Sequence, residues 1–180
     1  MSVSDPNTNL VWIDLEMTGT DSEAHHIMQV AMVITNQELE VLDNGIEIII
    51  HQPEEVLSAA NDFVKENLRE ILEKSRKSTT LESQAEEQLL QIAKKFTTKK
   101  MSPLCGNSIW VDRRFVFKYM PKLDSHFLHR NIDVSSIKEL YKRWRPNLKE
   151  FRKKKAHTAL EDIKESIAEL KYYREIGFIG

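Results

Sequence analysis

Two acidic residues interrupt an apolar segment near the start of the 180-residue sequence. In L-V-W-I-D-L-E-M-T-G-T, Leu10 to Thr20, Asp14 and Glu16 are two residues apart. Side chains at positions i and i+2 of a β-strand point to the same face of the sheet. Two carboxylates placed there repel each other, and a cation bound between them would offset that repulsion. The pair therefore indicates an acidic site that can hold a cation.

Two further carboxylates and one histidine are candidates for the same site. Asp112 falls in the first turn of a predicted helix, where the helix dipole alone favours an acid by about 0.3–1 kcal/mol. His157 precedes the predicted C-terminal helix, and Asp162 lies about one turn inside it. Taken singly, these residues have ordinary explanations as a dipole partner, a surface histidine and a solvated acid. Taken together with the first pair, they form a set that can converge on one site.

Charge is unevenly distributed along the chain, although the net charge is only −2. Residues 1–60 contain eleven Asp and Glu but no Lys or Arg. Residues 142–155 contain eight basic residues and a single acid, Glu150. Such a run is most often a solvated surface, and the alternative is a contact for a phosphate-bearing ligand. The near-neutral total disfavours a protein that binds long nucleic acid through a broad basic surface.

Length and composition predict one globular domain over residues 1–180, since 41% of the residues are apolar and 30% are charged. Cys105 is the single cysteine, which excludes an intrachain disulfide. The N-terminus lacks the basic and apolar segments of a signal peptide, and no run of 18 apolar residues occurs. These features predict a cytoplasmic protein without a membrane partner.

The candidate residues need a fold that positions them. Strands are predicted at Leu10–Glu16, Ile27–Thr35 and Gly45–His51, and again near Pro103–Gly106 and Asn131–Val134. Helices are predicted between Pro53 and about Ser75, as one or two segments, over Leu81–Phe96, and after Asn107, from Ser135 and from Thr158. Thr158 and Glu161 have the spacing of a capping box. Three strands followed by alternating strands and helices predict an α/β fold with a mixed sheet.

Several sequence blocks occur in the order found in one enzyme family. They are I-D-L-E-M-T-G, C-G-N-S followed by D-R-R-F, F-K-Y-M-P, D-V-S, L-Y-K-R-W and H-x-x-x-x-D, between about Leu10 and Tyr173. With these blocks the chain resembles the oligoribonucleases, which are DEDDh 3′–5′ exonucleases. The resemblance implies a ribonuclease H-like fold, with a five-stranded mixed sheet flanked by helices. It also implies a homodimer that degrades short RNA, down to dinucleotides, to 5′-mononucleotides.

The same resemblance implies roles for the acids and the histidine. The residues that would hold two divalent ions, Mg²⁺ or Mn²⁺, are Asp14, Glu16, Asp112 and Asp162. Asp14 would bridge the ions, whereas Glu16 and Asp162 would hold the ion that binds the attacking water. Asp112 would help to position the other ion. His157 would take the proton of the water.

Substrate contacts are implied in the same way. The residues that would bind the 5′ phosphate or lie beside it are Ser108, Arg130, Ser135, Ser136 and Asn107. Phe63 stands where the family has a tryptophan of the base pocket, and stacking there contributes about 1–3 kcal/mol per base. Thr20 replaces a leucine that wedges between bases, and His129 replaces a tyrosine. The segment after Phe63 also lacks the family's histidine, so all three departures fall on substrate contacts.

Two other functions are compatible with these residues. A related DEDDh exonuclease with a broader RNA or DNA substrate range would use the same acids. A catalytically idle nucleic-acid-binding module would keep the fold, but it has no need of all four carboxylates and the histidine. The D-V-S and F-K-Y-M-P blocks favour the oligoribonucleases over the first alternative.

Overall fold

The computed structural model describes residues 5–147, 149–152 and 158–178, which are built around a five-stranded sheet. The strands are β1 (Leu10–Met17), β2 (Ile27–Thr35), β3 (Ile46–Ile49), β4 (Leu104–Gly106) and β5 (Asn131–Asp133). Their order across the sheet is β3-β2-β1-β4-β5. β1 and β3 are antiparallel to β2, whereas β4 is parallel to both β1 and β5. The predicted mixed sheet is therefore confirmed.

Helices connect and cover the strands. They are α1 (Glu54–Ser58), α2 (Asp62–Asn67), α3 (Arg69–Lys77), α4 (Glu82–Phe96), α5 (Ile109–Tyr119), α6 (Pro121–Asp124), α7 (Val134–Trp144) and α8 (Ala159–Tyr173), and α8 continues as a π-helical segment at Arg174–Phe178. Within the described ranges, none of these helices combines the length and the apolar content that crossing a membrane requires.

The region after β3 was predicted to hold one or two helices and contains three. Asn61 separates α1 from α2, because its side chain caps α2 by accepting the Val64 N–H at 2.9 Å. Leu68 separates α2 from α3, since its φ of −117° and ψ of 30° are not helical. α6 was not predicted at all. It begins at Pro121, a residue suited to the first position of a helix but equally common in turns.

The sheet is buried on both faces. β2 is buried along its entire length, and seven of its nine residues are apolar. Val11, Ile13 and Leu15 of β1 belong to the core that includes α4 and α5. Trp12 points to the other face and packs in the core that includes α8. β1 is thus fixed between two layers of helices, so the positions of its acidic residues are fixed as well.

Gly106 allows β4 and α5 to lie close to β1. A Cβ atom at this position would stand 3.0 Å from the Ile13 carbonyl oxygen and 3.1 Å from Ile109 Cδ1. Contacts this short would push the start of α5 away from β1. Glycine therefore allows the closest approach where β4 ends and α5 begins.

The start of α8 differs from the prediction. Thr158 is the N-cap residue, but the predicted capping box is wrong because its side chain makes no capping hydrogen bond. Glu161 instead pairs with Lys164 at 2.6 Å. The Leu160 N–H donates to Glu47 Oε1 at 3.3 Å, so a carboxylate of β3 serves the N-terminus of α8. This contact joins α8 to β3, the edge strand of the sheet.

Candidate active site

β1 and α8 bring three carboxylates together. Asp14 and Glu16 lie on β1, and Asp162 lies in the first turn of α8. Each offers one oxygen, and these oxygens lie within 4.8 Å of one another. All three residues are partly buried, so solvent screens their mutual repulsion incompletely. A cluster of carboxylate oxygens at this spacing suits a hard divalent cation.

Asp112 reaches the same strand from α5. It is only 7% exposed, and its Oδ1 accepts the Leu15 N–H at 3.1 Å. Leu15 lies between Asp14 and Glu16, so the fourth carboxylate is held beside the other three. A solvated acid on the helix dipole would need no such contact with the strand. The structure thus brings together all four acids that the sequence singled out.

Burial raises the pKa of two of these acids. The pKa of Glu16 rises to about 7 because of burial, and the charges of Asp162 and Glu47 add to the effect. The pKa of Asp112 also rises to about 7 because of burial, although the backbone N–H groups of Asp112 and Leu15 oppose the rise. Without a cation, the ionised cluster is therefore unfavourable. The all-oxygen donor set and its excess negative charge fit a divalent metal.

His157, the predicted base, lies outside the described residues. Its neighbour Thr158 is the N-cap of α8, and the Asp162 N–H donates to the Thr158 carbonyl at 2.9 Å. The assignment of His157 as the base stays a prediction from the sequence.

Sequence reasoning missed Glu47. Asp14 pairs with Ala31 of β2, and Ala31 pairs with Glu47 of β3, so both acids share one face of the sheet. The charge of Glu47 contributes to the raised pKa of Glu16. An acid between Ile46 and Ile48 was visible in the sequence, but its strand register was not.

Ser108, Ser135 and Asn107 form a hydrogen-bonded cluster where β4 and β5 end. Ser108 has a φ of 52°, and its N–H donates to Asp133 Oδ1 at 2.9 Å and to Ser135 Oγ at 3.0 Å. Ser135 Oγ donates to the Asn107 side-chain oxygen at 3.1 Å, and Asn107 Nδ2 donates to Ser166 Oγ at 2.6 Å. A left-handed backbone costs roughly 1–3 kcal/mol in a residue other than glycine, and such costs concentrate at functional sites.

An open cavity of about 460 Å³ adjoins this cluster. Its lining residues are Ser108, Trp110, Asp133, Ser135, Ser136, Glu139, Leu140 and Arg143. Arg143, which pairs with Glu139 at 2.5 Å, is therefore the cation that the described structure places beside the predicted phosphate-binding serines. Arg130 is exposed, and its carbonyl oxygen accepts a hydrogen bond from Arg113 at 3.3 Å. The sequence placed Arg143 in the basic run that was a candidate contact for a phosphate-bearing ligand, but it did not single out this arginine.

Phe63 lies on α2, at the end of β1 that follows the two acids. The Asn61 N–H donates to the Thr18 carbonyl at 2.9 Å, which places the start of α2 beside this end of the strand. The side chain of Phe63 is exposed.

Thr20 and His129, the other two predicted substrate contacts that depart from the family pattern, are also at the surface. The carbonyl oxygen of Thr20 accepts a hydrogen bond from Arg114 at 2.9 Å. The Arg114 guanidinium lies over the Trp110 ring, 5.5 Å from its centroid. His129 is exposed just before β5. Trp110 and Arg114 were not predicted, and they adjoin both Thr20 and the serine cluster.

Comparison with known proteins identifies the family. The family model named RNase T, described as exonuclease, matches residues 11–170. The sequence is 50% identical over 172 residues to an oligoribonuclease of Ralstonia nicotianae, covering 94% of this chain and 78% of that protein. It is 48% identical over 170 residues to the oligoribonuclease of Pasteurella multocida, covering 93% of this chain and 92% of the relative. The chain belongs to the oligoribonuclease family. It is an exonuclease, and its carboxylate cluster indicates use of a divalent metal.

Solved structures agree on the fold. Exonuclease I of Methylocaldum szegediense superposes with a TM-score of 0.66 at 18% identity, over 94% of this chain and 41% of that one. The zinc-bound E. coli exonuclease I in complex with single-stranded DNA gives a TM-score of 0.64 at 15% identity, over the same shares of the two chains. The chain thus has the ribonuclease H-like fold that its sequence blocks imply.

Proposed function

We propose that the protein removes nucleotides one at a time from the 3′ end of short oligoribonucleotides, down to dinucleotides, and releases 5′-mononucleotides. The observation that carries the proposal is the cluster of Asp14, Glu16 and Asp162, with Asp112 held beside them through the Leu15 N–H. Membership of the oligoribonuclease family supports the choice of short RNA as substrate.

Four acids would hold the metal. Asp14, Glu16 and Asp162 provide converging oxygens, and Asp112 completes the set for two ions, Mg²⁺ or Mn²⁺. When bound, these ions would stabilise the negative charge that develops on the attacking and leaving oxygens. His157 would accept a proton from water. Water adds to phosphorus, the bond from phosphorus to the 3′ oxygen breaks, and the 3′ oxygen gains a proton.

The serine cluster would bind the 5′ end of the substrate. Ser108, Ser135 and Ser136 line the cavity of about 460 Å³, and Asn107 orients Ser135. Arg143 would supply the charge for a 5′ phosphate, with Arg130 as a second cation that would reach it from before β5. Phe63 would stack on a base, whereas Thr20 and His129 would provide smaller surfaces.

We also propose that two copies form a homodimer across α5. Trp110 is 55% exposed and Phe117 is 70% exposed, and both line an open cavity of about 590 Å³. Large exposed aromatic side chains on one helix face are typical of a protein interface. Asn131 of β5 lines the same cavity, so His129 and Arg130 precede β5 near this surface. A second copy bound there would bring additional residues to the substrate.

A product time course tests the activity. RNAs of two, three, five, seven and twenty nucleotides, labelled at either end, are incubated with Mg²⁺, Mn²⁺ or EDTA. Label at the 3′ end should appear at once as mononucleotide, whereas label at the 5′ end should form a descending ladder. His157→Ala should slow the reaction by roughly 10²–10⁴ without loss of metal binding. Release of 5′-terminal nucleotides first, or full activity in EDTA, would contradict the proposal.

A further inference from the structure

A second positively charged region lies where α7 and α8 end. A pocket of about 220 Å³ lies between the C-terminal parts of these helices and the segment that follows α7. The basic residues that line it are Lys138, Lys142, Arg145 and Lys149. We refer to these four residues and the space between them as the basic pocket. Three of the four belong to the basic run of residues 142–155, and none of these three has a role in the proposed active site.

Acidic side chains compensate only part of this charge. Lys138 pairs with the buried Glu169 at 3.5 Å, and Lys142 pairs with Glu150 at 3.3 Å. Within the described ranges, neither Arg145 nor Lys149 forms an ion pair. Four cations and two acids leave a net charge of +2 in and around the basic pocket. Like charges placed together repel one another, and an anion bound among them would offset that repulsion.

Aromatic side chains form the wall of the basic pocket. Tyr141 and Tyr173 stack with their ring centroids 5.0 Å apart. The Tyr141 hydroxyl donates to the Tyr173 carbonyl at 3.0 Å, and the Tyr173 hydroxyl donates to Glu169 at 3.2 Å. A Cβ atom at Gly177 would overlap the Tyr141 hydroxyl, so glycine permits this packing. The wall is therefore fixed by internal contacts, which leaves the cations as the donors available to a ligand.

The basic pocket is separate from the active site. Asp162 and Tyr173 are eleven residues apart on α8, which corresponds to roughly 16 Å along the helix. Ser135 and Arg145 stand at opposite ends of α7, roughly 15 Å apart along the axis. A phosphate group in the basic pocket thus contacts neither the carboxylate cluster nor the serine cluster.

We propose that the basic pocket binds the dianionic phosphate of a phosphate monoester. A monoester carries close to two negative charges at neutral pH, which matches the net charge of +2. The guanidinium of Arg145 can donate two parallel hydrogen bonds to one phosphate, and Lys149 adds a point charge. Two sources offer this chemistry: a free 5′-mononucleotide, or the 5′ phosphate of an RNA whose remainder lies elsewhere on the protein.

Nuclear magnetic resonance titrations of the full chain in EDTA test the proposal. The probes are inorganic phosphate, 5′-AMP and adenosine. Phosphate and 5′-AMP should shift the backbone amide resonances of Arg145 and Lys149, whereas adenosine should not. In the Arg145→Gln/Lys149→Gln double variant, the dissociation constant for these sites should rise at least about tenfold, because charge-assisted hydrogen bonds are lost. Lys74→Gln, which removes a paired surface lysine of α3 that does not line the pocket, should bind like the wild type.

Two matched heptanucleotides distinguish the sources. If RNA is the source, a 5′-phosphorylated heptamer shifts the Arg145 and Lys149 resonances, a 5′-hydroxyl heptamer does not, and 5′-AMP acts only above millimolar concentration. If a mononucleotide is the source, 5′-AMP saturates the pocket alone. Unchanged resonances with every phosphate probe, or equal affinity in the double variant, would overturn the proposal. Dinucleotide hydrolysis should be unchanged in the double variant, so the outcome is independent of the proposed activity.

Discussion

At the scale of single residues, the carboxylate cluster lowers the stability of the metal-free protein but provides the ligands for a metal. Asp14, Glu16 and Asp162 repel one another within 4.8 Å, and the structure tolerates this because β1 and α8 are fixed by packing on both sides. The same acids that destabilise the metal-free protein would stabilise the loaded one, since a ligand that binds the folded state shifts the folding equilibrium.

Asp14→Asn and Asp162→Asn should each abolish RNA hydrolysis while leaving the metal-free protein as stable as the wild type or more stable. Each change removes one of several repelling charges and one metal ligand. Turnover on a labelled pentanucleotide and the melting temperature, with and without Mn²⁺, are the measurements. Glu87→Gln on α4, an exposed position, serves as the matched control and should behave like the wild type. Full turnover in either Asp variant would argue against the carboxylate site.

The raised pKa of Glu16 gives the metal-free protein a defined pH dependence. The unfolded chain releases this proton near 4.5 and the folded chain near 7, so the free energy of unfolding falls as the pH rises between these values. Asp112 acts in the same direction from 3.8. Glu16→Gln should therefore lose less stability than the wild type between pH 5 and pH 8. Denaturation in EDTA at several pH values measures the difference, and parallel curves for the two proteins would contradict it.

At the scale of elements, the contact between β4, α5 and β1 determines where Asp112 lies. Gly106→Ala should destabilise the fold by roughly 1–3 kcal/mol, because the new Cβ would stand 3.0 Å from the Ile13 carbonyl oxygen. The shift of α5 should also lower activity per folded molecule. Urea denaturation and turnover under folding conditions measure the two effects.

Cys105→Ala provides the control for this change. It removes a buried side chain next to Gly106 but adds no atom between α5 and β1. Stability should fall while activity per folded molecule is retained. If Gly106→Ala also retained its activity per folded molecule, the spacing between α5 and β1 would not matter for catalysis.

The sequence predicted the long elements well and the short contacts poorly. The bounds of β2 were predicted correctly, because a nine-residue segment rich in Val and Ile lies between the polar residues His26 and Asn36. The N-cap Thr158 was also predicted correctly, but the carboxylate that accepts a hydrogen bond at the start of α8 was not, since Glu47 comes from a distant part of the chain and no local pattern shows it. The four acids were recognisable from their types and positions, whereas Arg143 and Trp110 required knowledge of how α7 and α5 are oriented.

At the scale of the whole molecule, the exposed face of α5 is the surface at which we expect two copies of the protein to meet. Trp110→Glu and Phe117→Glu should each shift a dimer toward the monomer, because a buried unpaired charge disfavours an apolar interface. Sedimentation velocity at several protein concentrations measures the change. Leu81→Glu, at a position 53% exposed on α4's N-terminus, is the control of similar exposure and should leave the assembly intact. A wild-type monomer would contradict the proposed homodimer.

The hydrogen bond from the Leu15 N–H to Asp112 also makes one backbone amide sensitive to the state of the site. The chemical shift of an amide proton depends on the charge of the group that accepts its hydrogen bond. The acceptor here is Asp112, whose raised pKa of about 7 lets it change between neutral and ionised forms near neutral pH. Cation binding and proton release at the cluster thus alter the same acceptor. The amide resonance of Leu15 therefore reports whether the site is occupied. Nuclear magnetic resonance can follow it in a complex with RNA that carries no dye or label.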